Sequence, residues 1–395
     1  MIAEKMKALV AGSSVIRAMF EEGKKMAQEV GAENVFDFSL GNPVTPAPEK
    51  VAETIGQILA TKDSMEVHGY MSNSGYPQVR AKIAASLNER FGLDLDEEAI
   101  LMTVGAAGGL NVILKTLINP GDEVLTLTPY FGEYRNYVSN FDGVLVEVPA
   151  AAPSFQPDLE RLENAVNERT KAMIINSPNN PTGVVYTEET IKGLCAMLER
   201  KEKELGTSIY LISDEPYREL AYDGVEVPYL TKYYHNAIVG YSFSKSLSLP
   251  GERIGYLVMP ASLDDAQQIR AGANVANRIL GFVNAPSLMQ LVVGECLDEK
   301  TDLDFYDRNR KALTEGLSKC GYTFTNPDGA FYLWMQAPGG DDKAFSQAAK
   351  KYHILVVPGS SFGYPGYVRI AYCVSPQTIA GSMAGFKSLA EEYSL

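Results

Sequence analysis

Hydrophobic and polar positions follow two different patterns along the chain. Between about residues 100 and 260, short and nearly continuous apolar runs alternate with longer segments that have helical spacing. Continuous apolar runs are typical of strands that are buried on both faces of a sheet. The predicted strands are 122–128, 143–148, 171–176, 208–213, 237–242 and 254–259. Segment 107–118 has leucine and isoleucine at the spacing of one helix face and predicts a helix.

This alternation predicts an α/β fold, with a large domain in which helices flank a mostly parallel sheet. The last hundred residues predict a helix at 304–317, strands at 330–336 and 366–372, and a final helix. They indicate a smaller α+β domain that the two chain ends form together. We predict a large domain at 46–285 and a small domain at 1–45 and 286–395. Ligands of such sheets bind beyond the carboxyl ends of the strands, so the functional residues should follow the strands.

Composition narrows the class of protein. The 395 residues are 46% hydrophobic and 21% charged, which is an ordinary globular balance. The net charge of −14 argues against nucleic acid or an anionic membrane as a partner. The sequence contains no apolar stretch long enough for a membrane span and no signal-peptide layout. These features predict a cytoplasmic protein.

Cysteine and histidine point to neither disulfides nor a metal. The four cysteines (195, 296, 320 and 373) are scattered, which favours reduced thiols. The three histidines (68, 235 and 353) have no metal-binding spacing, so we predict no metal. The chemistry therefore has to rely on other side chains.

A glycine-rich turn, TVGAAGGLN (103–111), leads into the predicted helix at 107–118. The backbone N–H groups of Gly105, Ala106 and Ala107 would be free at its start and, with the helix dipole, would form an anion site suited to phosphate. The spacing matches neither a dinucleotide-binding fingerprint nor a P-loop. The alternative is a tight turn whose small residues allow close helix packing.

Two further segments also follow predicted strands. TPYFGEY (128–134) places aromatic side chains where they could stack on a flat ligand, although core packing explains them better when the segment is taken alone. NSPNNPTG (176–183) contains two prolines and a glycine, which favour a rigid loop. Such a loop can aim the Asn180 amide at a ligand, or it can simply be a well-formed turn.

Two charged residues stand in apolar strands. Asp214, at the end of an apolar strand in LISDEPYREL, needs a cationic or hydrogen-bonding partner unless it caps a helix. Tyr217 follows three residues later. Arg369 lies inside the apolar strand GYVRIAY, where it either forms an internal salt bridge or binds a substrate carboxylate.

The segment GYSFSKSLSLPGERIGY (240–256) carries Ser242, Ser244, Lys245 and Arg253. In one interpretation Ser242 is the nucleophile of an S-x-x-K hydrolase. Such hydrolases also carry S-D-N and K-T-G, and the nearest strings here, 213–215 and 115–117, do not fit. In the other interpretation Lys245 is the reactive group and the serines hold part of a ligand.

Taken together, these segments describe one ligand. It has a phosphate for the glycine-rich turn, Ser242 and Arg253, and a flat ring for an aromatic side chain. Its ring nitrogen requires an acid such as Asp214, and its ring hydroxyl suits Tyr217 and Asn180. Its aldehyde awaits the amine of Lys245. This description matches pyridoxal 5'-phosphate.

Several spacings resemble those of a known family over nearly the whole chain. N-P-x-G is present at 180–183, D-x-x-Y at 214–217, Y-x-x-x-x-G at 70–75, and S-x-x-K at 242–245 with an arginine eight residues after the lysine. The chain thus resembles the fold-type-I pyridoxal-phosphate-dependent aminotransferases of class I/II. The phosphate turn departs slightly, because Ala106 and Ala107 stand where relatives often carry hydroxyl or charged residues.

The resemblance implies a role for each matching residue. Lys245, Asp214 and Tyr217 are expected to be catalytic, with Lys245 bonded covalently to the cofactor. Cofactor binding is expected to involve Gly105, Ala106, Ala107, Phe131, Asn180, Asp214, Tyr217, Ser242, Ser244, Lys245, Arg253 and Tyr70. Substrate binding is expected to involve Gly41, from the segment FSLGNP, together with Asn180 and Arg369. In this family the tyrosine at the position of Tyr70 usually reaches the phosphate of the neighbouring subunit, which implies a homodimer.

The implied reaction transfers an amino group between an L-amino acid and a 2-oxo acid by a ping-pong mechanism. Arg278 roughly parallels an arginine that binds a second carboxylate in some aspartate aminotransferases, which favours aspartate or another dicarboxylate as donor. The alternative is another reaction of the same fold, such as a carbon–sulfur β-lyase, a racemase or a decarboxylase. A regulator built on this fold would need a DNA-binding domain, and the acidic charge disfavours it.

Overall fold

The structure is a computed structural model that describes residues 2–11 and 15–395. The strands are β1 (Phe36–Asp37), β2 (Ile100–Thr103), β3 (Glu123–Thr128), β4 (Val144–Pro149), β5 (Thr170–Asn176), β6 (Tyr210–Asp214), β7 (Ala237–Ser242), β8 (Gly255–Val258), β9 (Phe324–Thr325), β10 (Tyr332–Gln336), β11 (Ile354–Leu355), β12 (Val357–Pro358) and β13 (Tyr367–Ala371). The helices are α1 (Glu4–Ala11), α2 (Val15–Val30), α3 (Glu49–Thr61), α4 (Ser64–His68), α5 (Pro77–Phe91), α6 (Gly105–Leu117), α7 (Glu133–Ser139), α8 (Leu159–Ala165), α9 (Glu188–Leu205), α10 (Phe243–Ser246), α11 (Ala266–Ile279), α12 (Ser287–Gly294), α13 (Leu303–Lys319), α14 (Asp342–Ala349) and α15 (Pro376–Glu392).

The central sheet has seven strands in the order β2-β8-β7-β6-β5-β3-β4. Strands β3 to β7 pair in parallel, whereas β8 runs antiparallel to both of its neighbours, β7 and β2. The prediction of a mostly parallel sheet is confirmed, and each of the six predicted strands corresponds to a strand. Strand β2 was missed, because a run of four residues directly before a glycine-rich turn carries little pattern.

Both faces of this sheet are covered, which explains the continuous apolar runs. Ile174 of β5 belongs to an apolar cluster with Leu114 of α6 and Ile269 of α11. Its neighbour Met173 belongs to a different cluster, with Leu198 of α9. Successive residues of one strand therefore pack under helices on opposite faces of the sheet.

The two chain ends meet in a second structural region. Strands β12, β13, β10 and β9 form an antiparallel sheet, and β1 near the N-terminus pairs in parallel with β11. Phe38 packs within the apolar cluster of this region, with its ring centroid 6.1 Å from that of Phe386. The prediction that both chain ends form the smaller α+β part is confirmed. The exact boundaries at 45/46 and 285/286 remain a prediction.

The described residues contain neither a membrane-spanning helix nor a disulfide. None of their helices is long and apolar enough to cross a membrane. The cysteines at 195, 296, 320 and 373 are all free.

The double coverage of the central sheet leads to a stability prediction. Val124 of β3 is fully buried, whereas Val144 of the edge strand β4 is 48% exposed. Val124→Ala should lower the free energy of unfolding by about 2–3 kcal/mol, because it removes buried methyl groups and leaves a cavity. The matched Val144→Ala variant should change it by less than about 1 kcal/mol. Urea unfolding followed by circular dichroism measures both, and equal losses would contradict the assigned burial.

Candidate active site

A cavity of about 300 Å³ lies where several strands of the central sheet end. The parallel strands β5, β6 and β7 place their carboxyl ends at the same edge, as predicted. Residues that directly follow these strands line the cavity, and residues from both chain ends close it. The lining residues are Leu40, Gly41, Ala106, Ala107, Leu110, Phe131, Tyr137, Asn176, Asn180, Asp214, Pro216, Tyr217, Ser242, Ser244, Lys245, Pro250, Arg253, Tyr332 and Arg369.

The cavity collects most of the residues that the sequence singles out. Gly41, Ala106, Ala107, Phe131, Asn180, Asp214, Tyr217, Ser242, Ser244, Lys245, Arg253 and Arg369 all line it. Gly105 is not part of the lining but begins α6, directly before Ala106. Tyr70 is not part of the lining and is 93% exposed.

Lys245 lies on the short helix α10 and lines the cavity, with its amine directed at the backbone of the lining residue Gly41. Its Nζ donates a hydrogen bond to the carbonyl oxygen of Gly41 over 2.8 Å and lies 5.3 Å from the ring centroid of Phe331. Burial lowers the pKa of the Lys245 amine to about 8, and the cations Arg253 and Arg369 act in the same direction. A larger neutral fraction makes the amine a better nucleophile near neutral pH.

Ser242 does not interact with Lys245 in the way that the hydrolase interpretation requires. The Ser242 hydroxyl donates to the Ser244 hydroxyl over 2.8 Å and caps α10 by accepting from the Ser244 N–H. Lys245 bonds to the Gly41 carbonyl instead. The lysine is therefore not placed to take a proton from Ser242.

Asp214 ends β6 and is almost completely buried. Its Oδ2 accepts a hydrogen bond from the Tyr134 hydroxyl over 2.6 Å. Its Oδ1 is buried and has no hydrogen-bond partner among the described residues. Burial raises the pKa of the Asp214 carboxyl to about 7, while the Tyr134 hydrogen bond opposes the shift and the Glu215 carboxylate adds to it. Asp214 thus offers one oxygen without a partner, and the alternative role as a helix cap does not apply, since no helix begins there.

The ends of β5 and β6 are fastened together beside this aspartate. The Asn176 amide donates to the Asp214 backbone carbonyl over 2.6 Å, and its oxygen accepts from the Asn180 N–H over 2.7 Å. The predicted rigid loop after β5 is therefore attached to the strand that carries Asp214.

The glycine-rich turn and Arg253 form one end of the cavity. Gly105 has φ +67°, a backbone conformation that favours glycine, and a Cβ there would lie 2.7 Å from Nη2 of Arg253. Ala106 and Ala107, in the first turn of α6, line the cavity together with Arg253, Ser242 and Ser244. A helix N-terminus beside a cation provides the setting of an anion site.

Arg369 lies on β13 and is only 2% exposed. Its Nη1 donates to the Asn180 side-chain oxygen over 3.0 Å, and its Nη2 donates to the carbonyl oxygen of Ser39. It forms no salt bridge with any carboxylate in residues 2–11 and 15–395, and its buried Nε has no partner there. The internal salt bridge that would make Arg369 purely structural is therefore not present in this part of the chain.

Some residues that line the cavity or contact its lining had not been predicted. Tyr332 of β10 contacts both Tyr217 and Arg369, and Tyr134 bonds to Asp214. Tyr134 lies three residues after Phe131 in the aromatic segment already noted, so its position gave some signal. Tyr332 lies in an apolar strand where it resembled an ordinary core aromatic.

Tyr70 and Arg278 share an exposed surface instead of the cavity. Asn277 donates to the Asn73 carbonyl over 3.0 Å, and Asn73 donates to the Val283 carbonyl over 2.7 Å. These bonds hold the segment after Tyr70 against the end of α11, where Arg278 is exposed. Neither residue contributes to the cavity of its own chain.

A surface group of Glu202, His235 and Asp264 is the candidate for a metal among the described residues. The Asp264 carboxylate oxygen nearest His235 already accepts hydrogen bonds from Ser208 and Asn236. We assign no metal to this group.

Comparisons with known proteins agree over nearly the whole chain. Residues 33–382 match the family described as aminotransferase class I and II. A probable aspartate/prephenate aminotransferase of Thermus aquaticus is 32% identical, with 88% of this chain and 89% of the relative covered. An aspartate aminotransferase of Thermotoga maritima is 28% identical, with 93% and 95% covered.

Solved structures give the same result. An amino transferase from Eubacterium rectale superposes with a TM-score of 0.98 at 46% identity, and both chains are fully covered at 100%. The aspartate aminotransferase of Thermus thermophilus with maleate gives a TM-score of 0.87 at 27% identity, covering 98% of this chain and 99% of the other. Sequence, fold and site together establish that the chain belongs to the class I and II aminotransferase family and is a transaminase.

Proposed function

We propose that this transaminase binds pyridoxal 5'-phosphate in the cavity and accepts a dicarboxylic amino acid, such as aspartate, as donor. The observation that carries the proposal is a set of charges without counter-charges. Lys245, Arg253, Arg369 and Asp214 line one cavity, and none of them forms a salt bridge within the described ranges. The phosphate, aldehyde and basic ring nitrogen of pyridoxal 5'-phosphate would match Arg253, Lys245 and Asp214. The carboxylate of an amino acid substrate would match Arg369.

The residues present fit the cofactor. The N-terminus of α6, Arg253, Ser242 and Ser244 would hold the phosphate. The unpartnered Oδ1 of Asp214 is the natural acceptor for a protonated ring nitrogen. Phe131 would face the ring plane, and Tyr217 and Asn180 would bond the ring oxygen.

When bound, the cofactor supplies an aldehyde that bonds an amine and a protonated ring that withdraws electrons. Lys245 would hold the cofactor covalently and, once released by the incoming amino acid, would carry a proton from the substrate Cα as a general base. A cation beside Asp214 would lower the pKa of its carboxyl, so the aspartate would stay ionised and keep the ring nitrogen protonated. Arg369 would bind the α-carboxylate of the substrate, which argues against decarboxylation.

The choice of a dicarboxylic donor and of a homodimer rests on Tyr70 and Arg278. Several relatives are named aspartate aminotransferases. A second substrate carboxylate needs a further cation, and Arg278 is exposed beside Asn277, which bonds to the segment that follows Tyr70. Met65, Val275 and Ile279 are also exposed near these segments, at 75%, 47% and 58%. We infer that this surface meets a second copy of the chain, which brings Tyr70 and Arg278 to the neighbouring cavity. A cytoplasmic location remains a prediction.

Lys245→Ala tests the covalent role. The variant should fold, lose the visible absorbance band of the bound cofactor and lose turnover, because Lys245 is the one lysine that lines the cavity among residues 2–11 and 15–395. Lys343→Ala, at an exposed lysine of α14, serves as the matched control and should keep both. The measurement is a visible spectrum with added pyridoxal 5'-phosphate, before and after single amino acids. Retention of full activity in Lys245→Ala would exclude the assignment.

Pyruvate and ammonia as products of the parent protein would indicate a β-lyase instead.

Asp214→Asn tests the ring-nitrogen contact. The neutral amide cannot hold the ring nitrogen in its protonated form, so turnover should fall by about two orders of magnitude or more. The thermal unfolding temperature should change little, because the amide has nearly the same shape as the carboxyl group. Steady-state kinetics of parent and variant measure the loss, and an unchanged rate would place the ring nitrogen elsewhere.

Arg278→Ala tests the donor. The ratio kcat/KM for aspartate should fall about tenfold to a hundredfold, the size of one hydrogen bond to a charged group. The same ratio for a neutral amino acid should change little. Arg308→Ala, at an exposed arginine of α13, is the matched control and should affect neither ratio. Equal losses for both donors in Arg278→Ala would contradict a role in binding the second carboxylate.

A further inference from the structure

Tyr332 lines the cavity but was not among the predicted site residues. It lies on β10, beside the strand β13 that carries Arg369. Its hydroxyl oxygen is 2.8 Å from that of Tyr217. Its ring packs against the guanidinium of Arg369, with 4.5 Å between Cζ and the ring centroid. One side chain therefore contacts two groups that have roles in the proposed function.

The same hydroxyl accounts for the glycine at position 41. A Cβ on Gly41 would lie 1.9 Å from the hydroxyl oxygen of Tyr332, far inside the van der Waals distance. The Gly41 carbonyl accepts the hydrogen bond of the Lys245 amine. The Tyr332 hydroxyl therefore packs against the backbone that holds Lys245, and its position is fixed from two sides.

The two tyrosine hydroxyls have one more hydrogen to donate than they have acceptors within the described residues. The hydroxyls carry two protons, and their mutual hydrogen bond uses one. Neither hydroxyl has another hydrogen-bond partner in the described part of the chain. Tyr217 is 5% exposed and Tyr332 is 2% exposed, so a buried proton without an acceptor would be costly. The second proton therefore calls for an acceptor that is bound in the cavity.

We propose that Tyr332 is a positioning residue that donates its hydrogen bond to Tyr217 and so directs the Tyr217 proton at the ring oxygen of the cofactor. This inference rests on the proposed function, which places the ring oxygen at Tyr217. A hydroxyl that accepts a hydrogen bond becomes a stronger donor, because linked hydrogen bonds polarise one another. Tyr332 would thereby help Tyr217 to stabilise negative charge on the ring oxygen.

Other charged and titratable groups face the pair, and a conservative variant leaves them in place. The charges of Arg369 and Asp214 affect the pKa of the Tyr217 hydroxyl. Arg369 and Cys373 affect that of the Tyr332 hydroxyl in the same electrostatic way. Lys245 lines the same cavity. Tyr332→Phe keeps the ring under Arg369 and changes none of these groups, so it isolates the hydroxyl.

The experiment compares the parent with Tyr332→Phe, Tyr217→Phe and the double variant, each loaded with pyridoxal 5'-phosphate. The first readout is the pH midpoint at which the visible band of the Lys245-bound cofactor changes without substrate. The second is the Kd of the cofactor-free protein for pyridoxal 5'-phosphate. When the ring oxygen loses a hydrogen-bond donor, its negative charge is less stabilised. The bound cofactor then takes up a proton more easily, so the pH midpoint of its visible band should rise.

In Tyr332→Phe the midpoint should rise by roughly half a unit to one unit, the size of one hydrogen bond, and the Kd should increase. Tyr217→Phe should shift the midpoint further in the same direction. In the Tyr217→Phe background, Tyr332→Phe should add nothing, because its only path to the ring oxygen has been removed. A general loosening of the fold would instead add in both backgrounds.

Two results would overturn the inference: no midpoint shift in Tyr332→Phe, or an equal shift in both backgrounds. If Tyr332→Phe does not fold, a ring-fluorinated tyrosine at position 332 preserves the shape and has a more acidic hydroxyl. It is a stronger donor, so it should lower the midpoint, and a rise or no change would contradict the inference. A parent protein without any pH-dependent visible band would refute the proposed function itself and not the tyrosine contact alone.

Discussion

Buried charge without a counter-charge is the constraint around which the rest of this molecule is arranged. An ion that leaves water and finds no opposite charge is expensive, and proteins normally pair it or neutralise it. Here Lys245 and Arg369 are held by neutral oxygens, namely the carbonyls of Gly41 and Ser39 and the amide of Asn180. These contacts satisfy hydrogen bonds but leave net charge in the cavity. The binding of a ligand of complementary charge therefore stabilises such a site.

The aspartate of the site meets the same constraint from the other sign. Tyr134 donates a hydrogen bond to one oxygen of Asp214, and the other oxygen has no hydrogen-bond partner in the part of the chain that the structure describes. Glu215, the next residue, is not left in this condition, because it forms a buried ion pair with Arg218. Two adjacent carboxylates therefore differ in purpose. The paired one supports the turn after β6, and the unpaired one keeps the capacity to bind a cation.

Much of the fold and of the site could be predicted from the sequence, because the signals were local. The strands of the central sheet appear as apolar runs, and Asp214, Asn180 and Lys245 follow such runs directly. Arg369 was visible because a cation inside an apolar strand is unusual. Strand β2 was too short to produce a pattern.

Tyr332 could not be identified in advance, because its role depends on Tyr217 and Gly41, which are distant in sequence. Nothing local distinguishes a core tyrosine from one whose hydroxyl meets a second tyrosine. The glycine at position 41 carried a trace of this contact. However, many glycines occur for reasons of backbone conformation alone, so the sequence does not reveal that a hydroxyl occupies the place of its Cβ.

The pairing of the two chain ends has a consequence for the order in which the molecule is made. Phe36 pairs with Ile354, and Ser39 accepts a hydrogen bond from a residue that follows it by 330 positions. The segment that places Gly41 in the cavity and the Ser39 carbonyl against Arg369 therefore lacks its partners on β11 and β13 until those strands have been synthesised. Contacts of such long sequence separation form late, after the domains they join. A nascent chain can thus complete its central sheet early and still contain no working site, so that amino-group chemistry begins only after β13, which carries Arg369, has been synthesised.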